Sequence, residues 1–259
     1  MNEIFDRKLL KQNRKRVAAT LANHSFLYHE IANRIVEDLQ FFCDKFESAL
    51  EIGARDGYLS GLLPIKNVIA IDSVNGGVSA KALSAIADDE FLPFKKESFD
   101  LIVSNLNLHH INQMPQFLLQ VKNLLKPDGM FVASFFGEEN LPELHKTIFN
   151  TENEIYSGVS PRMIPTIDVK TAAMLLQKAG FANPVSNLER VEVAYENPLK
   201  LLKDLKLMGQ GNIMLKRSRR FFTRNFLRRL LQNYHDAYQT NDGAVLATFE
   251  IITIVGFKK

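Results

Sequence analysis

The residues best placed to do chemistry lie in Ala49-Leu50-Glu51-Ile52-Gly53-Ala54-Arg55-Asp56-Gly57-Tyr58, an apolar run that carries an acid and breaks into a glycine-punctuated turn. The run reads as a buried strand, and Tyr58-Leu59-Ser60-Gly61-Leu62-Leu63 resumes with helical spacing. Gly53 and Gly57 permit backbone angles and close ligand approaches that a Cβ would block. Strand, glycine turn and helix N-terminus together make a cradle for a cofactor. A dinucleotide fingerprint requires glycines where this chain has Gly53, Arg55 and Tyr58, and only the first is present. That argues against NAD and FAD. A second acid, Asp72, closes the next apolar run, residues 67–72, and is placed to accept hydrogen bonds from ribose hydroxyls.

Three further groups of residues have the right types for a site. Leu106-Asn107-Leu108-His109-His110 follows a third apolar run, 98–105, at the end of a strand where ligand crevices of open α/β sheets form. His109 or His110 there is either a general base or a packed structural histidine. Arg162, in a long connection, is either a bidentate clamp for a substrate carboxylate or an ordinary surface arginine. Lys216, Arg217, Arg219, Arg220, Arg224, Arg228 and Arg229 fall in a segment read as helical, with no acid until Asp236. On a helix, Arg217, Arg220, Arg224 and Arg228 would share one face, with Phe222, Phe226 and Leu230 roughly opposite. The face is either solvated or a docking surface for an acidic carrier protein, an acidic protein partner or an anionic membrane.

The elements that must position these groups alternate between strand and helix. Residues 5–40 read as two helices, the first crowded with Lys8, Lys11, Arg14, Lys15 and Arg16, the second marked by Leu27, Ile31, Ile35 and Leu39 at i, i+4 spacing. The first is either a solvated helix covering the cofactor end of the sheet or a mobile flap closing over it. Residues 73–87 contain a Gly76-Gly77 break and a short alanine-rich segment. A helix over 114–125 stops at Lys126-Pro127-Asp128-Gly129, because proline cannot continue it and Asp-Gly favours a turn. Residues 130–136 form another core strand. The alternation over 49–136 predicts a doubly wound α/β sheet. Residues 137–165 are too long for a plain connection and include a helical stretch, 141–154, so they read as a lid. Asp168 caps a helix ending at Ala179-Gly180, and 190–195 and 248–257 are strands.

Composition bounds the rest. The chain has 259 residues, 46% hydrophobic and 24% charged, which suits a globular protein with a sizeable core, either one large α/β domain over 1–259 or two small ones. Its only cysteine, Cys43, permits no internal disulfide, and no spacing suggests a metal site. No run approaches the ~18 apolar residues of a membrane span, and residues 5–16 lack a secretory apolar segment; a cytoplasmic location follows as an expectation. The formal charge of +3 names no partner. Nucleic acid is not expected, for there is no reader motif and no tryptophan, and aromatics do not alternate with the basic residues.

The pattern of Glu51, Gly53, Gly57 and a later Asp72 resembles the S-adenosylmethionine site of class I methyltransferases. More narrowly, Ile4-Phe5-Asp6-Arg7, the glycine turn, Asp88-Asp89-Glu90-Phe91-Leu92-Pro93-Phe94, Leu106-Asn107-Leu108-His109, Leu125 to Gly129 and Ala247-Thr248-Phe249-Glu250 resemble the mitochondrial complex I assembly factor of the arginine-hydroxylase type and its bacterial relatives. That group is similar to the malonyl-acyl-carrier-protein O-methyltransferases of biotin synthesis. The resemblance implies a seven-strand sheet of order 3-2-1-4-5-7-6 with strand 7 antiparallel and helices on both faces. It implies a helical cap over 1–40, a cofactor core over 49–136, and a lid and substrate side over 137–259. It implies S-adenosylmethionine as cofactor, with Glu51 near the methionine ammonium, Asp72 on the ribose and Asp88 accepting from the adenine amine. Gly53, Ala54, Arg55, Gly57, Ser73, Asp89, Ser104 and Asn105 complete that implied contact set. Arg55 departs from it, standing where the family has a glycine, and its side chain either points to solvent or pairs with Glu51, Asp56 or Asp72. Three functions stay open: methylation of a carboxylate or protein, hydroxylation of a protein arginine, and non-catalytic assembly with a complex I subunit docked on the basic segment 216–229.

Overall fold

A computed structural model describes residues 3–42, 45–76, 81–218 and 222–259; Cys43, Gly77, Arg219 and Arg220 lie outside them. The strands, in chain order, are β1 (Ser48–Ile52), β2 (Asn67–Asp72), β3 (Ala82–Ile86), β4 (Phe99–Ser104), β5 (Leu125–Phe136), β6 (Ala182–Tyr195) and β7 (Val245–Phe257). They join in one seven-stranded sheet of order β3-β2-β1-β4-β5-β7-β6. β1 pairs parallel with β2 and β4, while β7 runs antiparallel to both β5 and β6. Order and antiparallel strand are those the sequence resemblance implied.

Side-chain alternation explains why helices flank both faces. On β1, Ala49 packs in one buried cluster and Leu50 and Ile52 in the other, as the two-residue strand period dictates. The helices α1 (Arg7–Val17), α2 (Phe26–Leu39) and α3 (Tyr58–Leu62) come first, followed by α4 (Met114–Leu124), α5 (Pro142–Tyr156), α6 (Val169–Lys178), α7 (Pro198–Leu207) and α8 (Arg224–Tyr238). Leu27, Ile31, Ile35 and Leu39 turn the predicted face of α2 into the first cluster, where α5 adds Leu144 and α8 adds Phe226 and Leu230. Phe117 and Val121 of α4 and Leu176 of α6 close the opposite face. Each fully buried aliphatic or aromatic side chain of this kind stabilises the fold by ~1.5–3 kcal/mol.

Four local expectations were altered. β3 falls in the alanine-rich stretch that showed no strand period, and as an exposed edge it needs none: Leu83 and Ile86 are 76% and 62% exposed. The Lys126–Gly129 turn is folded into β5 as a bulge, with Asp128 in the left-handed region, so that Phe99 opposes Leu125 but Leu101 opposes Met130. The helix after the glycine turn is only five residues long, so its dipole adds little to the cradle. The basic segment is not one helix. Lys216 and Arg217 lie in a turn after an isolated bridge between Phe5 and Met214, and α8 starts at Arg224, where Thr223 accepts the Phe226 N–H at 3.1 Å. Arg217 therefore shares no helical face with Arg224 and Arg228; it pairs with Asp6 at 3.4 Å.

Because Ile35 is 2% exposed under the sheet, the variant Ile35→Ala should lose about 2–4 kcal/mol in urea denaturation. A loss below about 1 kcal/mol would mean that α2 is not part of the cooperative core.

Candidate functional site

The carboxyl ends of β1 and β2 bring the expected groups together. β1 continues into the glycine turn, where the N–H groups of Gly53 and Ala54 both donate to the Ile71 carbonyl, at 2.8 and 2.9 Å. Gly53 and Gly57 adopt φ of 75° and 74°, and Arg55 between them is also left-handed at 57°. A Cβ on Gly53 would lie 2.5 Å from the Asn107 side chain, so only glycine lets another group approach the turn on that side. Asp72, at the end of β2, accepts from the N–H groups of Arg55 and Val74, each at 3.1 Å. Ser73 donates to Asp72 at 3.3 Å.

Glu51 is buried one residue before the end of β1, its carboxyl accepting the Ser60 N–H at 3.0 Å. Burial pushes its pKa up to about 8, with the Ser60 hydrogen bond acting in the opposite direction. Asp72 is the opposite case. Burial would raise it, but Arg14, Arg55 and two backbone N–H groups outweigh burial and hold it below the usual range. A carboxyl with a raised pKa and one with a lowered pKa thus sit at the ends of two adjacent strands.

Arg55 does not point to solvent. Its guanidinium turns inward, donates from Nη2 to the Met208 carbonyl at 2.8 Å and lies 5.6 Å from the Tyr28 ring centroid. Of the three acids open to it, Asp72 is the one it engages, through its backbone N–H and by attraction to its charge.

Arg14 is the residue the sequence reading missed. Sequence alone places it with the other cations of a solvated helix or flap, yet it is 2% exposed. Lys8, Lys11, Lys15 and Arg16 do face out, but Leu10, Arg14 and Val17 form the inner side of α1. Arg14 Nη1 reaches Asp89 at 2.6 Å, Ser73 at 3.2 Å and Asp72 at 3.4 Å, and Nη2 donates to Asn107. Burial works against its charge, but Asp89 and Asp72 raise its pKa above the ordinary arginine value. The i, i+3/i+4 spacing of Leu10, Arg14 and Val17 was the available signal.

The other expected residues divide. Asp89 is buried in this cluster, while Asp88 is partly exposed and accepts from Arg7 at 2.5 Å. Ser104 donates to the Ile52 carbonyl at 2.8 Å, tying β4 to β1. Asn105 donates to the Tyr28 carbonyl at 2.8 Å and accepts from Ser134 at 3.0 Å. Beside the turn a cavity of about 260 Å³ opens between Arg55, Asp72, Val74, Asn75 and Gly76.

His109 is buried and hydrogen-bonded at both ring nitrogens, to Gln210 at 3.1 Å and, less closely, to the Phe136 N–H at 3.5 Å. Gln210 in turn donates to the Tyr28 hydroxyl at 2.6 Å. Burial lowers the His109 pKa to about 3, so the ring is neutral at pH 7, its Nδ1 accepting and its Nε2–H donating. Beyond Gln210 lies a second cavity of about 80 Å³, walled by Phe136, His145, Arg162 and Asn212. Residues 137–165 supply much of this wall. Arg162 is held at 2.7 Å by the buried Glu152 and lies 4.8 Å from the Phe222 ring centroid. Among the described residues no group of three or more His, Cys, Asp or Glu side chains is arranged to hold a metal ion. No helix among them is long and apolar enough to cross a membrane.

The donor set suits S-adenosylmethionine. Asp72 and Asp89 offer carboxylate acceptors, the glycine turn admits close approach, and the buried Asn107 Nδ2 and Asp89 Oδ1 have no hydrogen-bond partner within the protein. Those atoms call for a further polar group beside Arg14 and the turn.

Comparison with known proteins agrees with this geometry. The family model described as a methyltransferase domain matches residues 50–133. The chain is 33% identical to the mitochondrial arginine-hydroxylase NDUFAF5 of Mus musculus, over 98% of its own length and 77% of that protein's. It is 29% identical to malonyl-acyl-carrier-protein O-methyltransferase 1 of Coxiella burnetii (strain RSA 493 / Nine Mile phase I), over 95% of this chain and 86% of that one. Among solved structures, the YcgJ protein from Bacillus subtilis matches with a TM-score of 0.61 at 15% identity, covering 89% of this chain and 99% of that one, a likeness of fold.

Folding lifts the Glu51 carboxyl from 4.5 to about 8. Between those values the native protein holds a proton that the unfolded chain has lost, so its stability falls as pH rises, until the native group ionises too. Glu51→Gln should remove that fall and gain roughly 1.4 kcal/mol per pH unit over wild type between about pH 5 and pH 8. Parallel stability curves for the two proteins would show that Glu51 ionises normally in the fold.

Proposed function

From its place among the class I S-adenosylmethionine-dependent methyltransferases, the family to which this chain belongs, we propose that it transfers a methyl group to a carboxylate or to a protein side chain. The observation that carries the proposal is the meeting of the glycine turn with one ionised and one protonated acid at the ends of β1 and β2. The cofactor supplies a methyl on a sulfonium, open to displacement by a nucleophile. Asp72 takes the ribose hydroxyls, Asp88 the adenine amine and Glu51 the amino-acid end. The residues around the crevice then contribute orientation and exclusion of water.

A carboxylate acceptor fits His109 better than an alcohol or amine does. A carboxylate is ionised at neutral pH and needs no base, and both nitrogens of His109 are already engaged. His109 orients Gln210 in the wall of the smaller cavity, and Arg162, in the same wall, contributes positive charge balanced by Glu152. An acidic carrier protein would approach along Arg224 and Arg228, which face solvent. The second reading is a complex I assembly factor, as arginine hydroxylase or as a binding protein, favoured by identity to NDUFAF5 along nearly the whole chain. Arg55, in place of a glycine, also favours it.

Titration calorimetry should show micromolar binding of S-adenosylmethionine, and Asp72→Ala should weaken it at least about ten-fold through lost charge-assisted hydrogen bonds. With malonyl-carrier protein, methyl ester should accumulate in mass spectrometry. An unmodified carrier together with a hydroxylated arginine on a co-expressed complex I subunit would transfer the assignment to the second reading.

A further inference from the structure

We propose that Arg14 is an internal competitor of the cofactor: its guanidinium occupies the acids of the cradle, and the cofactor takes them by displacing the carboxyl-terminal half of α1. The inference rests on the cofactor reading above and adds to it a cost of entry.

The geometry is that of a tethered ligand. Arg14 reaches three separate stretches of the site at once: Asp72 and Ser73 at the end of β2, Asp89 in the turn after β3, and Asn107 after β4. These are the stretches that a nucleoside bound across the ends of β1, β2 and β4 must also touch. Through Asn107 the contact extends to the glycine turn, because the Asn107 side chain lies where a Cβ on Gly53 would stand. Arg14 and Asn107 together therefore cover the face of the turn that glycine leaves open.

Arg14 is an imperfect occupant. It satisfies Asp89 Oδ2 and Asn107 Oδ1, while Asp89 Oδ1 and Asn107 Nδ2 stay buried without partners. A ligand carrying hydroxyl, amino and carboxylate groups offers both the donor and the acceptor that those atoms lack. The exchange also conserves charge: a guanidinium leaves two carboxylates, and the sulfonium form of the cofactor brings one positive charge back beside its zwitterionic amino acid.

The tether is independent of the cradle. Asn112 accepts the N–H groups of Ile4 and Phe5, both at 2.8 Å, and the Asp6 N–H donates to the Ile213 carbonyl at 2.7 Å. The amino end of α1 is thus fastened, and the helix swings about it.

If the open form is about one tenth of the population, releasing Arg14 raises apparent affinity about ten-fold. Titration calorimetry with S-adenosylhomocysteine, which is not consumed, should accordingly find Arg14→Met binding about ten-fold tighter than wild type. Asn112→Ala, which loosens the tether and leaves the cradle untouched, should bind several-fold tighter, and decides the matter if Arg14→Met does not fold. In wild type, S-adenosylhomocysteine should speed hydrogen exchange of the α1 amides. Equal or weaker binding by the folded variants, or unchanged α1 exchange on binding, overturns the competition and leaves the methyltransferase reading standing. No binding of either cofactor form by wild type or variants overturns both.

Discussion

Two hydrogen bonds to one carbonyl set the shape of the functional end of this molecule. With Gly53 and Ala54 both donating to Ile71, the chain leaving β1 must fold back across the end of β2 instead of continuing upward. That bend requires positive φ at Gly53, Arg55 and Gly57, and an arginine accepts such a backbone only at a cost of ~1 kcal/mol or more. The cost is offset because the same turn delivers the Arg55 N–H to Asp72 and its guanidinium to Met208. Everything at the site is placed relative to this bend.

A second consequence is electrostatic. Arg14, Arg55, Asp72, Asp89 and Glu51 are all buried, Arg55 in the turn, Asp72 bonded to it, and Arg14 joining Asp72 to Asp89. Ionised together they would leave one carboxylate without a matching cation. The protonated state of Glu51 resolves the imbalance, and burial enforces it. The neutral His109 and the well-lowered pKa of His110, where burial acts first and the neighbouring histidine and arginines second, follow from the same shortage of water beside Arg14 and Arg55.

Much of this was legible in the sequence, for identifiable reasons. The parallel core strands are buried on both faces, so their continuous apolar runs announced β1, β2 and β4. Asp168 marked a helix start because its side chain caps the Thr171 N–H, at 2.6 Å. Gly53, Gly57 and Asp72 were readable because backbone conformation and strand ends constrain residue type directly. What stayed hidden depends on contacts distant in sequence. The only local mark that sets Arg14 apart from Lys15 and Arg16 is the face it shares with Leu10 and Val17; the acids that bury it lie 58 and 75 residues away. The basic run misled for a similar reason, since charge density says nothing about where a helix begins, and Thr223 decides that by capping. β3 escaped notice because an uncovered edge strand lacks the apolar pattern of its neighbours.

The position of β7 bears on how the molecule is made. It is the last strand of the sheet in sequence, yet it lies between β5 and β6 and pairs with both along most of its length. While the chain is being synthesised, β6 therefore has no strand of the sheet beside it until residues 245–257 have emerged. Glu143 and Arg190 must wait as well, one for the Thr248 N–H and hydroxyl, the other for Glu250 across the completed ladder. The half built from β1 to β5 has its parallel pairs early. The edge that carries β6 joins the sheet only when β7 is inserted into the gap between β5 and β6.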